Sequence, residues 1–307
     1  MPDAVPFFFA LGALAHLCRS GLRLPAPLYE TLSIYLLLAI GLKGGVEIAA
    51  SSHPALWRDA LGAILLGALI PLLVFPLFRW RFSRPDAASL AAHFGSVSIV
   101  TFAVASAVLH QRGVEFEGHL VLLAALMEAP ALIVATLLAR LGGAEKPDWG
   151  RLLHEVLANK SVLLLLGGIA IGWAAGPQGA APLAPLFVDL FKGALCLFLL
   201  EMGLVAASQL PELKKSGRFL LGCGLVLPPL LALAGLALAR FLDLSLGGSV
   251  LLMVLASSAS YIAAPTAMRL AVPEANPALG VTAALAIVFP FNLLLGIPLY
   301  IWLAGAL

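Results

Sequence analysis

The feature that most constrains this chain is a train of apolar stretches, most of about twenty residues, joined by short polar connections. Ten can be read, at roughly 4–20, 28–49, 61–79, 89–109, 119–139, 161–175, 185–207, 219–240, 247–270 and 278–304. A bilayer core of about 30 Å takes about twenty residues of helix. In hydrocarbon every backbone polar group needs an internal partner, so only helices or a closed barrel can span. None of the stretches alternates as a barrel strand would. Only 11% of the residues are charged, against about 25% in a soluble domain. The expected fold is an all-α polytopic membrane protein of about ten transmembrane helices.

Lysine and arginine segregate. Loops after segments 1, 3, 5, 7 and 9 hold thirteen of the 18, and the opposite side holds only Arg58, Arg112 and Arg240. Lys43 and Lys192 lie too close to apolar segments to assign. The bias puts the basic loops in the cytoplasm and both termini outside, in a multi-pass protein of the plasma (inner) membrane. At the N-terminus the arginines follow the apolar stretch, which suits a first span rather than a cleaved signal. A net charge of +2 gives no reason to expect a nucleic-acid partner. Cys18, Cys196 and Cys223 have no ligand spacing and are expected as small apolar packing residues.

The two halves repeat at an offset of about 160 residues. YLLLAIGL ending at Leu42 matches LFLLEMGL ending at Leu204. SVS at Ser96, Val97 and Ser98 matches SAS at Ser258, Ala259 and Ser260, and EAPAL from Glu128 matches VFPFN ending at Asn292. Five spans per copy force opposite orientations. The expected organisation is therefore two inverted five-helix repeats, residues 1–140 and 161–307, joined by a cytoplasmic linker at 141–160. Inverted repeats are a signature of secondary transporters, with sites near mid-membrane at the repeat interface.

Segments 4 and 9 depart from uniform apolarity. HFGSVSIVTFAVAS carries Gly95, Ser96, Ser98 and Thr101; ASSASYIAAPTAM carries Ser257, Ser258, Ser260 and Tyr261 before Pro265. Hydroxyl clusters beside Gly or Pro let a helix unwind. Freed N–H groups can then meet an anion and freed carbonyls a cation. The bland alternative is that small residues merely allow close helix packing. Glu128 and Glu201 are charges inside spans, which are functional candidates by default. Glu128 suits a cation ligand, a proton carrier or a hydrogen-bonded structural carboxyl, whereas a structural role fits Glu201 beside an expected break at Gly203. Lys43 and Glu47, four residues apart, are expected at a helix end or, if the helix resumes there, as a pair; His93, His110 and His119 are expected as interface histidines, and Asn292 as a polar partner of the site. There is no HExxH, GxSxG or Walker A pattern, so the expectation is not an enzyme, with no organic cofactor.

Four stretches carry a family resemblance: IGLKGG (40–45), FGSVSIVTFAVA (94–105), LMEAPAL (126–132) and the run 257–292, with R-x-x-x-P-x-A-N-P at 269–277 its most specific part. Together they resemble the sodium-dependent bicarbonate transporter family, in order over nearly the whole chain. The resemblance implies a homotrimer that moves a core domain against a gate domain like an elevator. It also implies sodium-coupled bicarbonate uptake and a PII-like regulator on the cytoplasmic face. By position, the anion and sodium sites would draw on the two serine clusters and Glu128, with Ser98, Glu128 and Ser260 as candidate sodium ligands. The chain departs from the family at Tyr261, where cyanobacterial members carry an aspartate, at Ala263 and Ala264, and in a shorter linker. Loss of that carboxylate removes a charged oxygen that a hard cation favours. Two other readings remain: a cation/proton antiporter or organic-anion symporter of similar architecture, and a non-transporting membrane receptor or scaffold.

Overall fold

The computed structural model describes residues 4–50, 55–141 and 158–306, with Gly150 and His154 standing alone between the last two ranges. Most of the expected linker, including Lys146 and Arg151, lies outside the described residues. Every regular element among the described residues is helical. In chain order they are α1 (Val5–Leu17), α2 (Ala26–Ala50), α3 (Leu56–Arg79), α4 (Arg84–Gly95), α5 (Ile99–Gln111), α6 (Leu120–Arg140), α7 (Lys160–Ala180), α8 (Phe191–Ser208), α9 (Leu210–Phe241), α10 (Leu246–Ser257), α11 (Ala263–Ala271) and α12 (Pro277–Ala306). Among the described residues eight helices are long and apolar enough to cross a membrane, α4 and α5 together making one of them. The shorter α1 and the pair α10–α11 account for the first and ninth segments. The protein is a multi-pass membrane protein. On α3 the exposed side is a row of leucines, Leu61, Leu65, Leu69, Leu72 and Leu73, flanked by exposed Trp57 and Trp80 at its two ends. That is a lipid-facing stripe with interfacial aromatic anchors.

Two helix pairs form a tightly closed frame. α2 lies on α7 and α1 on α8, and these are the most intimate helix contacts in the molecule. Glycines explain the closeness. A Cβ at Gly45 would collide with the Ile169 carbonyl, at Gly172 with that of Leu42, at Gly12 with that of Leu200, and at Gly203 with that of Phe9. Small residues let backbones approach where lipid supplies no hydrophobic drive between helices. Lys43 and Glu47 lie toward the C-terminal end of α2, which continues to Ala50, and pair one turn apart at 4.0 Å. One expectation is corrected: there is no break at Gly203, since α8 runs straight through it.

The remaining spans form a second group, α3 with α4 and α6, and α9 with α10 and α12. Its two sets are tied crosswise at the helix starts. Ser83 caps α4 by accepting from the Asp86 N–H, and Asp86 in turn accepts the Asn276 N–H (2.7 Å) from the loop before α12. At the far side, Ser245 caps α10, and Glu117 from the loop before α6 accepts both the Ser245 N–H (2.6 Å) and its hydroxyl (3.0 Å). Each interrupted span is thus anchored to the loop that follows the other.

Further differences from the sequence reading have local causes. α3 begins at Leu56, before its apolar run, with Asp59 in its first turn. α9 is bent at Gly217 (φ 85°), which separates a surface turn from the span proper. α12 contains two π-helical stretches, Ala283–Val288 and Asn292–Gly296, on either side of Pro290, whose missing N–H interrupts the regular ladder.

Candidate functional site

The fourth span stops and restarts within three residues. Gly95 ends α4 under Pro71 of α3 and Ala131 of α6, where a Cβ would meet both. The backbone is extended at Ser96 (ψ 160°) and Ser98 (ψ 103°) before α5 begins at Ile99. Ser98 is the cap, its Oγ accepting from the Thr101 N–H (3.2 Å) and from the Thr101 hydroxyl (2.9 Å). The ninth span repeats this device. α10 ends at Ser257, Ser258 is extended (ψ 166°), and the chain re-enters a helix at Ala263, where Ser260 Oγ accepts the Ala264 N–H (3.2 Å).

The two breaks touch. Ser98 N–H donates to Ser258 Oγ (2.9 Å), and Ser260 N–H donates to the His93 carbonyl (2.8 Å). The N-termini of α5 and α11 and the C-termini of α4 and α10 therefore meet at one place. The first pair carries partial positive charge and the second partial negative.

Beside this crossing lies a cavity of about 20 Å³, lined on its polar side by Ser33, Ser98, Glu128, Ser161, Ser260 and Tyr261 and on the other by Leu36, Leu37 and Ile40 of α2. Such a volume admits about one water or a bare ion. Two lining groups lack any hydrogen-bond partner among the described residues, Glu128 Oε2 and Ser161 Oγ, while the Tyr261 hydroxyl interacts with the Ser98 side chain. A buried polar atom without a partner costs about 1–3 kcal/mol, so two around one cavity mark a place for a ligand. Ser96 Oγ is a third unpartnered atom at the break, outside the lining.

A count of donors and acceptors separates the roles. Ser98 Oγ accepts the Thr101 N–H and is bonded to the Thr101 hydroxyl, so most of its bonding capacity is used within the break. Ser258 Oγ donates to the Leu255 carbonyl and accepts from Ser98, and Ser257 Oγ donates to the Val254 carbonyl; both hydroxyl hydrogens are thus used within the fold, and neither side chain lines the cavity. Thr101 is committed to Ser98. Ser260 keeps its O–H and one lone pair. Of the candidate sodium ligands, Glu128 and Ser260 have the most oxygen lone pairs left to offer, and Ser98 the fewest.

The sequence-predicted residues thus divide. Ser98, Glu128, Ser260 and Tyr261 line the cavity; Gly95, Ser96, Thr101, Ser257 and Ser258 build the breaks around it. Asn292 lies elsewhere. Its Nδ2 donates to the Ser257 carbonyl (3.0 Å) and its Oδ1 accepts from the Tyr300 hydroxyl (2.8 Å), which ties α12 to the end of α10.

Sequence reasoning missed Ser33 and Ser161. Each is a hydroxyl in or beside an apolar run, a signal no stronger than several serines that do not reach the cavity. It also missed Asp59, whose Oδ2 lies 3.0 Å from buried His119 Nε2, a pairing between α3 and the start of α6 that no local spacing announces.

A larger vestibule of about 360 Å³ meets the cavity at Ile40 and Ala103 and holds Lys43, Glu47, Ser106, His110 and Lys192. Ile40 and Ala103 form the wall between them.

This architecture has a counterpart among known families. The family model for the Na+-dependent bicarbonate transporter superfamily matches residues 5–305. The chain belongs to that superfamily. A search of curated protein sequences finds no significant match. As a superfamily member the chain places its two interrupted helices in the most deeply buried part of the molecule: Ser96, Ser257 and Ser258 have no accessible surface at all.

Proposed function

We propose that the protein is a secondary transporter that takes up bicarbonate together with sodium across the plasma membrane. The observation that carries this reading is the convergence of two unpartnered polar groups, Glu128 Oε2 and Ser161 Oγ, on one cavity at the crossing of two helix breaks. Bicarbonate would be held by the α5 and α11 N-termini and by the hydroxyls of Ser98, Ser260 and Tyr261, which can all donate. Sodium would lie against Glu128 and Ser260, with the carbonyls at the ends of α4 and α10 completing the hard-oxygen shell. The cavity is smaller than the four heavy atoms of bicarbonate require. Entry therefore needs the α2 wall to move relative to the breaks, and an elevator-like displacement of the α3–α6 and α9–α12 group against the α1, α2, α7, α8 frame supplies that motion.

The same reading makes residues 1–140 and 161–307 inverted repeats about an axis in the membrane plane. It is supported by the crosswise pairing of the first two spans of each half, α1 with α8 and α2 with α7, and by the crosswise Asp86 and Glu117 ties. The termini are outside and the basic loops cytoplasmic; a homotrimer, surrounding lipid and a PII-like cytoplasmic regulator complete the proposal.

Labelled bicarbonate uptake into proteoliposomes tests it. Uptake above empty vesicles that requires an inward sodium gradient is expected, and none above empty vesicles with or without sodium overturns it. A second reading is favoured by Tyr261 in place of an aspartate, which leaves Glu128 as the one carboxylate in the cavity lining among the described residues. Glu128 would then carry a proton, in an antiporter or an organic-anion symporter, and uptake would follow a pH gradient with sodium absent.

A further inference from the structure

The motif at residues 269–277 takes no part in the site between the breaks. It wraps a separate cavity of about 60 Å³, lined by Arg269, Pro273 and Pro277 of the motif together with Pro265, Ser89 and His93. None of its lining residues borders the first cavity. The loop over it is pinned at both ends. Arg140 donates to the Ala271 carbonyl (2.7 Å) and pairs with Glu274 (3.1 Å), while Asp86 holds the Asn276 N–H. Three prolines stiffen the wall further.

His93 is fully buried, yet its Nε2 has no hydrogen-bond partner among the described residues. Its Nδ1 lies 2.7 Å from the Ser89 carbonyl, which can only accept, so Nδ1 carries the hydrogen and the neutral ring keeps a bare Nε2 acceptor. Arg269 also lines the cavity and is exposed; its side chain carries five N–H donors. The volume corresponds to about four waters, or four to five heavy atoms, on a scale of about 10–15 Å³ for one water.

We propose that this cavity is a second binding site for a small oxyanion that carries its own O–H, hydrogencarbonate being the simplest. The anion's charged oxygens face Arg269 and its O–H donates to His93 Nε2. The site takes only the choice of ligand from the transport reading. Because the His93 carbonyl also holds the Ser260 N–H, the second anion sits close behind the break, on the side of the basic loops.

The test is thermal unfolding of the purified full-length protein titrated with sodium bicarbonate, against sodium chloride, nitrate and formate. Two saturable components are expected for bicarbonate. His93→Asn, which can keep the bond to the Ser89 carbonyl but loses the Nε2 acceptor, should weaken one component about tenfold or more. Arg269→Ala should weaken the same one, and His93→Gln should restore part of it. Glu128→Gln should affect only the other. Nitrate and formate, which have no O–H, should give no His93-dependent component. Superimposed wild-type and His93→Asn titrations overturn the proposal, as does loss of both components in Glu128→Gln or an equal His93-dependent response to nitrate. Should His93→Asn fail to fold, Arg269→Ala decides, since Arg269 is exposed. A His93-dependent component in a protein that transports no bicarbonate leaves this site standing and removes the transport reading alone.

Discussion

The frame of α1, α2, α7 and α8 and the group containing the two breaks use opposite means of holding helices together. In the frame, glycines bring backbone against backbone and the helices run unbroken past them. At the breaks, helices end early and the freed groups are taken up by serine caps and by the other break. Close packing leaves no room between the paired backbones, whereas the interrupted helices leave a cavity beside their crossing. The teaching is that glycine in a span has two uses, and the residues around it do not say which. Gly203 packs against Phe9, while Gly95 terminates a helix.

Gly172→Leu should break the frame most severely. The Leu42 carbonyl is backbone and cannot move aside, so overpacking should cost about 3 kcal/mol or more. Loss of monodisperse protein, or a large fall in thermal unfolding temperature, is the expected readout, and a normally folded variant would mean the helices can slide. Glu128→Gln probes the other region. It should abolish sodium-dependent uptake while thermal stability stays level or rises, because an unpartnered buried carboxylate is replaced by a neutral group of the same shape.

Asn292→Ala should cost about 2 kcal/mol by leaving the Ser257 carbonyl and Tyr300 hydroxyl unpaired. Its KM for bicarbonate should stay near wild type, which distinguishes a tie between helices from a ligand. Ser98→Ala should show the smallest loss of stability, about 1 kcal/mol for a helix cap. Its KM should rise about tenfold, as expected for a lost hydrogen bond to an anion. A stability loss with unchanged KM would place Ser98 with the scaffold.

Much of this was legible in the chain. The apolar runs gave the helices, and the placement of Gly95, Ser98 and Ser260 gave both interruptions, because caps and small residues act locally. Glu128 stood out because a carboxylate in an apolar run has few bland explanations. Ser33 and Ser161 were illegible for the converse reason: a serine within a span is cheap, and only a neighbour from another helix gives it a role. Asn292 was placed with the ligand because it aligned with the repeat, yet its partners are a carbonyl and a tyrosine hydroxyl.

By itself, then, the sequence determined that the chain lives in lipid as a bundle of helices and that two of them must break, since length, apolarity and capping are properties of short stretches. Tertiary structure decided which hydroxyls still had a lone pair or a hydrogen to give. That depends on partners more than a hundred residues away, such as the Ser98 N–H that takes a lone pair of the Ser258 hydroxyl, and on the contact geometry that leaves Glu128 Oε2 without one.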